Sequence, residues 1–170
     1  MGGFCEDFSP TVQCGDRRYQ VGPAAVGDLR AVVELLRDDP LGTGRAGADL
    51  GPYQRAFHEI EQDPRNFLVV LRDADDAGGV VAATMQLTLI PGLSRGGATR
   101  LQIEAVRVAE SHRGLGLGTS LFTWAHDHGR RHGARLAQLT TDKARPEAHR
   151  FYASLGYQTS HEGMKVDLSS

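Results

Sequence analysis

Residues 104–121 constrain the fold and function of this chain more than any other segment. The apolar run of residues 101–108 predicts a β-strand, and a basic, glycine-rich turn follows at residues 113–118. Apolar side chains then recur at helical spacing from Leu117, which predicts an amphipathic helix. A helix that begins directly after such a turn points its free N–H groups and its positive dipole end into the turn. The segment therefore predicts a pyrophosphate site, in which glycines leave the main chain accessible and Arg113 adds positive charge.

The turn alone leaves the kind of pyrophosphate open. A dinucleotide-binding loop has the spacing Gly-x-Gly-x-x-Gly, whereas this turn has Gly114-x-Gly116-x-Gly118. An acidic residue, Asp142, follows at a suitable distance, but only 28 residues come after it, too few for a doubly wound sheet. The chain has no Gly-x-x-x-x-Gly-Lys-Ser/Thr loop, which argues against a nucleoside triphosphatase. A glycine turn that binds no ligand is the plain alternative.

Two motifs together indicate a family. The run Arg113-Gly-Leu-Gly-Leu-Gly118, after a valine-rich strand, resembles the Arg/Gln-x-x-Gly-x-Gly/Ala signature of the GNAT superfamily of N-acetyltransferases. Residues 145–157 resemble the closing helix and turn of that family, Ala-x-x-Phe-Tyr-x-x-x-Gly-Phe/Tyr. Two motifs in the right order are far more specific than either alone. The resemblance is close over residues 101–168 and holds only in outline before them.

The resemblance implies an α/β (α+β) fold with a mixed, mostly antiparallel central sheet of about six to seven strands and about four helices. A splay between two central strands would admit acetyl-coenzyme A. Local patterns agree with this order and predict a flexible arm at residues 1–16 and a single domain at 17–170. Strands are expected at residues 17–21, 67–71, 80–90, 100–109, 135–140, 157–160 and 164–168, and helices at 29–37, 53–62, 115–131 and 146–155.

In such a family the turn holds the pyrophosphate of acetyl-coenzyme A. The extended arm of the cofactor can pair with an open strand edge, and the main chain of Val106, Arg107 and Val108 is placed to offer one. The phosphates would be bound by Arg113, Gly114, Leu115, Gly116, Leu117 and Gly118, with a hydroxyl from Thr119. Many family members have an asparagine where this chain has Arg145. Arg145 would either reach the nucleotide phosphates or be a surface charge.

Two side chains are the candidates for catalysis. The resemblance assigns Tyr152 to the departing thiolate, and a phenol with a pKa of about 10 is protonated at neutral pH. The alternative is that Tyr152 packs with Phe151 in the core. Strand alternation places Glu104 on one face with the two valines of the strand, where a partly buried carboxylate would serve as general base for the amine. A salt bridge from Glu104 to Arg100 or Arg107 is the equal alternative.

Other acidic and metal-binding possibilities are less favoured. Glu110, at the end of the strand, is a weaker candidate for the base. His126, His128 and His132 include an i, i+4 pair that can chelate zinc, but their run is polar throughout and predicts a solvated helix face with no metal. Cys5 and Cys14 are expected to be reduced thiols.

Composition excludes several other classes. A net charge of −2 gives no case for nucleic acid, and no apolar run is long enough for a membrane span. Glu6 and Asp7 lie where a signal peptide would be basic and apolar, so a cytoplasmic location is expected. Dimers are common in the family, but no surface pattern here argues for one.

The sequence therefore predicts an N-acetyltransferase that moves the acetyl group of acetyl-coenzyme A to a small-molecule primary amine in a ternary complex. The acceptor pocket is expected at residues 41–57 and 91–97, where glycines predict a mobile segment. The alternative is a non-catalytic module on the same fold that binds or senses acyl-coenzyme A.

Overall fold

A single mixed sheet organises the described part of the chain. The computed structural model describes residue 4 and residues 11–38, 49–76 and 78–168. Within these residues the sheet has six strands in chain order, and all neighbours are antiparallel except the last pair, β5 and β6, which is parallel. The strands are β1 Thr11–Cys14, β2 Arg17–Pro23, β3 Asn66–Asp73, β4 Val81–Ile90, β5 Thr99–Val108 and β6 Ala134–Leu139.

Helices cover both faces of this sheet. They are α1 Leu29–Arg37, α2 Gly51–Gln62, the short α3 Ser94–Gly97, α4 Leu117–Arg131 and α5 Pro146–Ser154. Proline lies in the first turn of α2 and of α5, where its missing N–H leaves no bond unmade. The apolar residues of α1 recur at helical spacing, so that Leu29, Val32 and Val33 are buried together.

Strand alternation divides the core into two parts. On one face, residues such as Phe67, Met85 and Ile103 pack against α4. On the other face, Leu68, Val70 and Val81 pack against α1 and α2. We call these the α4 face and the α1–α2 face. The mixed sheet with its covering helices confirms the predicted fold class.

Two sequence predictions about the ends of the chain are wrong. Residues 11–14 lie in the predicted flexible arm, yet they form β1 and pair with β2, and Phe4 is buried against His128. Residues 1–3 and 5–10 lie outside the described residues. The strands expected at residues 157–160 and 164–168 are not formed, and Met164 and Leu168 are exposed. An alternating pattern does not make a strand unless a neighbouring strand completes its hydrogen bonds.

A buried ionic cluster joins the sheet to the glycine-rich turn. Asp73, at the end of β3, lies 3.2 Å from Arg17 of β2 and 3.2 Å from Nε2 of His112, the residue just before Arg113. The backbone N–H of Asp75 donates to the same carboxylate. Asp73 and His112 are both buried. The Asp75 hydrogen bond lowers the pKa of Asp73, with further lowering from His112 and Arg17 and an opposing effect of burial.

We predict that Asp73→Asn lowers the free energy of unfolding by about 1–2 kcal/mol at pH 7, because the charged hydrogen bonds are weakened. The folded-state pKa lies below the unfolded value of about 3.9, so the contribution of the carboxylate is present above that pH and is lost as the pH falls through the folded pKa. Urea unfolding of both proteins at pH 7 and near pH 3 measures this. A difference that stays constant or widens in acid would contradict it, and exposed Asp127→Asn is the control.

Candidate active site

The sheet opens between β5 and β6. The parallel pairing begins at Thr99 and Ala134 and ends at Ile103 and Leu139, where β6 stops, whereas β5 continues to Val108. The end of β5 is paired with β4 on its other side. Within the described residues, the edge of Val106–Val108 that faces away from β4 therefore has no strand partner. This unpaired edge lies where the splay was expected, and it can accept an extended chain with amide groups.

A β-bulge lies at the start of this open edge. Ala105 has a φ of 52°, and the register between β4 and β5 shifts between Thr84 and Gln86. Glu104 therefore lies opposite Gln86, and Arg107 lies opposite Thr84. Both side chains are on the α1–α2 face, because the bulge inserts one extra residue between them.

The two valines after the bulge take the other side of the sheet. Val106 and Val108 pack on the α4 face. The sequence prediction that Glu104 shares a face with Val106 and Val108 is therefore wrong, since simple alternation does not hold across a bulge.

The glycines of the turn are needed for two different structural reasons. Gly114 and Gly116 have φ of 76° and 80°, and a Cβ at either position would meet no atom within 4 Å. These two positions combine a left-handed backbone with open space over the main chain. Gly118 differs, since a Cβ there would lie 3.3 Å from the ring of Phe151. Gly116 is also the N-cap of α4, so the free N–H groups of the helix begin beside it.

Arg113 is held beside the turn. Its Nε donates to the carbonyl of Val108 at 3.1 Å, and its Nη2 lies 2.9 Å from Asp38, just after α1. The guanidinium is about half exposed. The other members of the predicted phosphate site, Leu115 and Thr119, are exposed, whereas the side chain of Leu117 is buried and leaves only its main chain for a ligand.

Tyr152 lies on α5, partly buried among aromatic rings. Its ring centroid is 5.6 Å from Phe122 and 6.0 Å from Tyr157. Burial raises the pKa of Tyr152, and the positive charges of Arg107 and Arg145 oppose that rise. The phenol is therefore protonated at neutral pH, with two guanidinium groups near enough to influence it.

Neither acidic candidate is buried as expected. Glu104 is exposed, and no hydrogen bond or ion pair joins its carboxylate to any residue that the structure describes. The alternative of a salt bridge from Glu104 to Arg100 or Arg107 is not formed. Glu110 is exposed in the helical turn Glu110–His112, beyond the open edge of β5.

Two of the three histidines, His126 and His128 of α4, have packing roles that the sequence prediction missed. His128 is fully buried, where Nε2 lies 2.8 Å from the carbonyl of Phe4, and its ring stacks on Trp124. His126 shares a 2.7 Å hydrogen bond with the Tyr157 hydroxyl, and burial lowers the pKa of His126. The predicted solvated face is therefore wrong for His126 and His128. In residues 11–38, 49–76 and 78–168, no group of three His, Cys, Asp or Glu is placed to hold a metal ion.

One of the two cysteines and part of the predicted acceptor pocket lie outside the described residues. Cys14 is a buried free thiol whose Sγ lies 3.2 Å from the hydroxyl of Ser120, and Cys5 is outside the described residues. Residues 39–48 of the predicted acceptor pocket are also outside them.

No helix in the described part of the chain is both long and apolar enough for a membrane span.

The sequence prediction missed a row of polar side chains that crosses four strands on the α1–α2 face. Asn66, Thr88, Gln102 and Gln138 lie directly opposite one another on β3, β4, β5 and β6. We call these four residues the polar row. Each is polar in the sequence, but only the strand register shows that they are neighbours.

An unpaired strand edge that leads to an exposed glycine-rich turn at a helix N-terminus is the arrangement expected of an acyltransferase. The comparisons with known proteins agree with this geometry. Residues 29–157 match the Acetyltransferase (GNAT) family, and the chain belongs to that family.

Individual relatives show different degrees of similarity. The chain is 40% identical over 60 residues to an aminoalkylphosphonate N-acetyltransferase of Salmonella typhimurium, a match that spans 35% of this chain and 39% of that relative. The solved structure of a protein described as a transcriptional regulator from Bacillus halodurans has 39% identity and a TM-score of 0.81, over 88% of this chain and 99% of that one. Glucosamine-6-phosphate N-acetyltransferase from Arabidopsis thaliana, at 21% identity and a TM-score of 0.71 over 89% and 99%, shares the fold.

We predict that Gly116→Ala weakens the binding of coenzyme A about tenfold or more. The left-handed backbone conformation of residue 116 is disfavoured for alanine by about 1–2 kcal/mol. Isothermal titration with coenzyme A measures this. Gly133→Ala is the matched control, since Gly133 also has a positive φ, of 83°, and open space but lies after the other end of α4. Equal losses of affinity in both variants would show that the effect is only global strain.

Proposed function

We propose that this protein transfers the acetyl group of acetyl-coenzyme A to the primary amine of a small molecule. The observation that carries the proposal is that the open edge of Val106–Val108 leads into the glycine-rich turn and the N-terminus of α4. An extended, amide-bearing arm that ends in a pyrophosphate matches both parts. The phosphates would be bound by the main chain of residues 113–118 and by Arg113, with Arg145 as a further cation.

The transfer has two proton steps. The amine nitrogen forms a bond to the acetyl carbon, and the carbon–sulfur bond then breaks to release a thiolate. In our proposal Tyr152 donates its phenolic proton to that sulfur, and Glu104 accepts the amine proton, directly or through one water. The proton on Glu104 passes to solvent, and Tyr152 is reprotonated from solvent.

Direct attack by the amine is the expected route. A covalent intermediate would need a nucleophile beside the thioester. Cys14 is buried on β1, at the opposite edge of the sheet from the splay. Within the described residues, no cysteine lies beside the open edge.

A second candidate is a module that binds or senses acyl-coenzyme A without turnover. The related protein from Bacillus halodurans, at 39% identity, is described as a transcriptional regulator. The exposed carboxylate of Glu104 favours the enzyme, because a pure sensor has no need of a base beside the thioester.

A panel of primary amines, assayed by release of free thiol from acetyl-coenzyme A, separates the two candidates. The panel includes short amines that carry a phosphonate, in view of the relative from Salmonella typhimurium. Amine-dependent thiol release supports the enzyme. Tight binding of coenzyme A without turnover of any amine favours the sensor, and protection against heat by NAD instead of acetyl-coenzyme A would overturn both.

We predict that Tyr152→Phe lowers kcat about 100-fold or more, because the thiolate loses its proton donor. Coenzyme A affinity should change far less, since the ring and its packing are kept. Tyr157→Phe is the matched control. It removes a hydroxyl from the same aromatic cluster, and that hydroxyl is bonded to His126. Steady-state kinetics and titration with coenzyme A give both quantities, and an unchanged kcat in Tyr152→Phe would remove Tyr152 from the mechanism.

A further inference from the structure

The polar row consists of two hydrogen-bonded pairs, one on β3 and β4 and the other on β5 and β6. Thr88 donates to Oδ1 of Asn66 at 3.0 Å, and Gln138 donates to Oε1 of Gln102 at 2.7 Å. Gln86, two residues before Thr88 on β4, also donates to Oδ1 of Asn66 at 3.0 Å. All of these side chains are partly exposed and are not part of the apolar core under α1 and α2. Polar side chains aligned in this way make a floor that suits a polar ligand better than an aromatic or aliphatic one.

Two opposite charges flank this floor on β5. Arg100 and Glu104 lie on the same face as Gln102, one on each side of it along the strand. Arg100 makes one long hydrogen bond, of 3.5 Å, to Oε1 of Gln138, and its Nε is buried with no hydrogen-bond partner among the described residues. In the same part of the chain, Arg100 has no carboxylate partner. Its guanidinium therefore keeps the donors that a bidentate acid group would use.

The two charges have different positions relative to the splay. Glu104 follows the last β5 residue that pairs with β6, so it lies where the thioester would arrive. Arg100 lies opposite Leu136 of β6, inside the paired part of the sheet and on the far side of Gln102. Their Cα atoms are separated by about 13 Å along the strand, at about 3.3 Å per residue. Two polar contacts of about 3 Å leave room for a chain of a few carbons between an amine and an acid group.

We infer that the acceptor is a short amine that carries a negatively charged group, a carboxylate or a phosphonate. Arg100 binds the acid group, the polar row supports the molecule, and Glu104 receives the amine. The inference rests on the proposed function and adds the substrate class to it. It also gives an orientation, because the acid group is held away from the thioester and from the phosphates that it would repel.

The test compares amines of similar length with and without an acid group. The amines are 2-aminoethylphosphonate, β-alanine and propylamine, assayed with acetyl-coenzyme A. The wild type is expected to favour the two acids over propylamine by about tenfold or more in kcat/KM, as a charged hydrogen bond would give. Arg100→Gln is expected to abolish that preference mainly through KM, and Arg100→Lys to restore part of it.

Arg135→Gln is the matched control. Arg135 is an exposed arginine on β6, one residue before the partner of Arg100, at a register shift that leaves it without a partner on β5 and outside the polar row. This variant is expected to keep the wild-type preference. Circular dichroism and melting temperatures establish that all variants are folded.

The outcomes separate the inference from the proposed function. Equal use of propylamine and the two acids by the wild type, or an unchanged preference in Arg100→Gln, would overturn the inference and leave acetyltransfer intact. Absence of turnover with every amine would overturn the proposed function. Titration of the coenzyme A-saturated protein with 2-aminoethylphosphonate does not need turnover, and binding that is lost in Arg100→Gln supports the inference, whereas no binding to the wild type overturns it.

Discussion

The separation of β5 from β6 is the feature on which the rest of the site depends. These two parallel strands pair as far as Ile103 and Leu139. The pairing stops there because β6 ends and β5 continues. No strand pairs with this edge, where the carbonyls of Val106 and Val108 accept from the side chains of Arg107 and Arg113, so a ligand with amide groups can take the place of a strand there. A bulge at Ala105 bends β5 at the same place and brings Arg107 to the α1–α2 face, which already carries Glu104.

Contacts with the sheet hold the glycine-rich turn in place. His112 enters the core beside Tyr19 and reaches Asp73 of β3, which also holds Arg17 of β2. The turn is thereby anchored to two strands that are distant from it in sequence. A main chain that is anchored on one side and open on the other would lose little conformational freedom on binding the phosphates of the proposed cofactor.

Most helices and strands followed from the sequence because their signals are local. α1 was predicted at its observed bounds from the spacing of its apolar residues, and β3, β4 and β5 were predicted within a few residues. α4 begins two residues later than predicted, because Gly116 takes the left-handed N-cap conformation. β1 has no such signal, since a short edge strand is defined by its neighbour β2, and the predicted strands after α5 had the pattern without a partner.

The sequence by itself determined the glycine-rich turn, the helix after it and the closing aromatic motif. The reason is that each depends on residues close together in the chain, such as glycines at positive φ and apolar side chains at helical spacing. Only the tertiary structure decided that Glu104 lies on the face of the sheet opposite to Val106 and Val108, because one bulge residue reverses the alternation after Glu104. It alone also aligned Asn66, Thr88, Gln102 and Gln138, since residues on four strands become neighbours only through the register of the sheet.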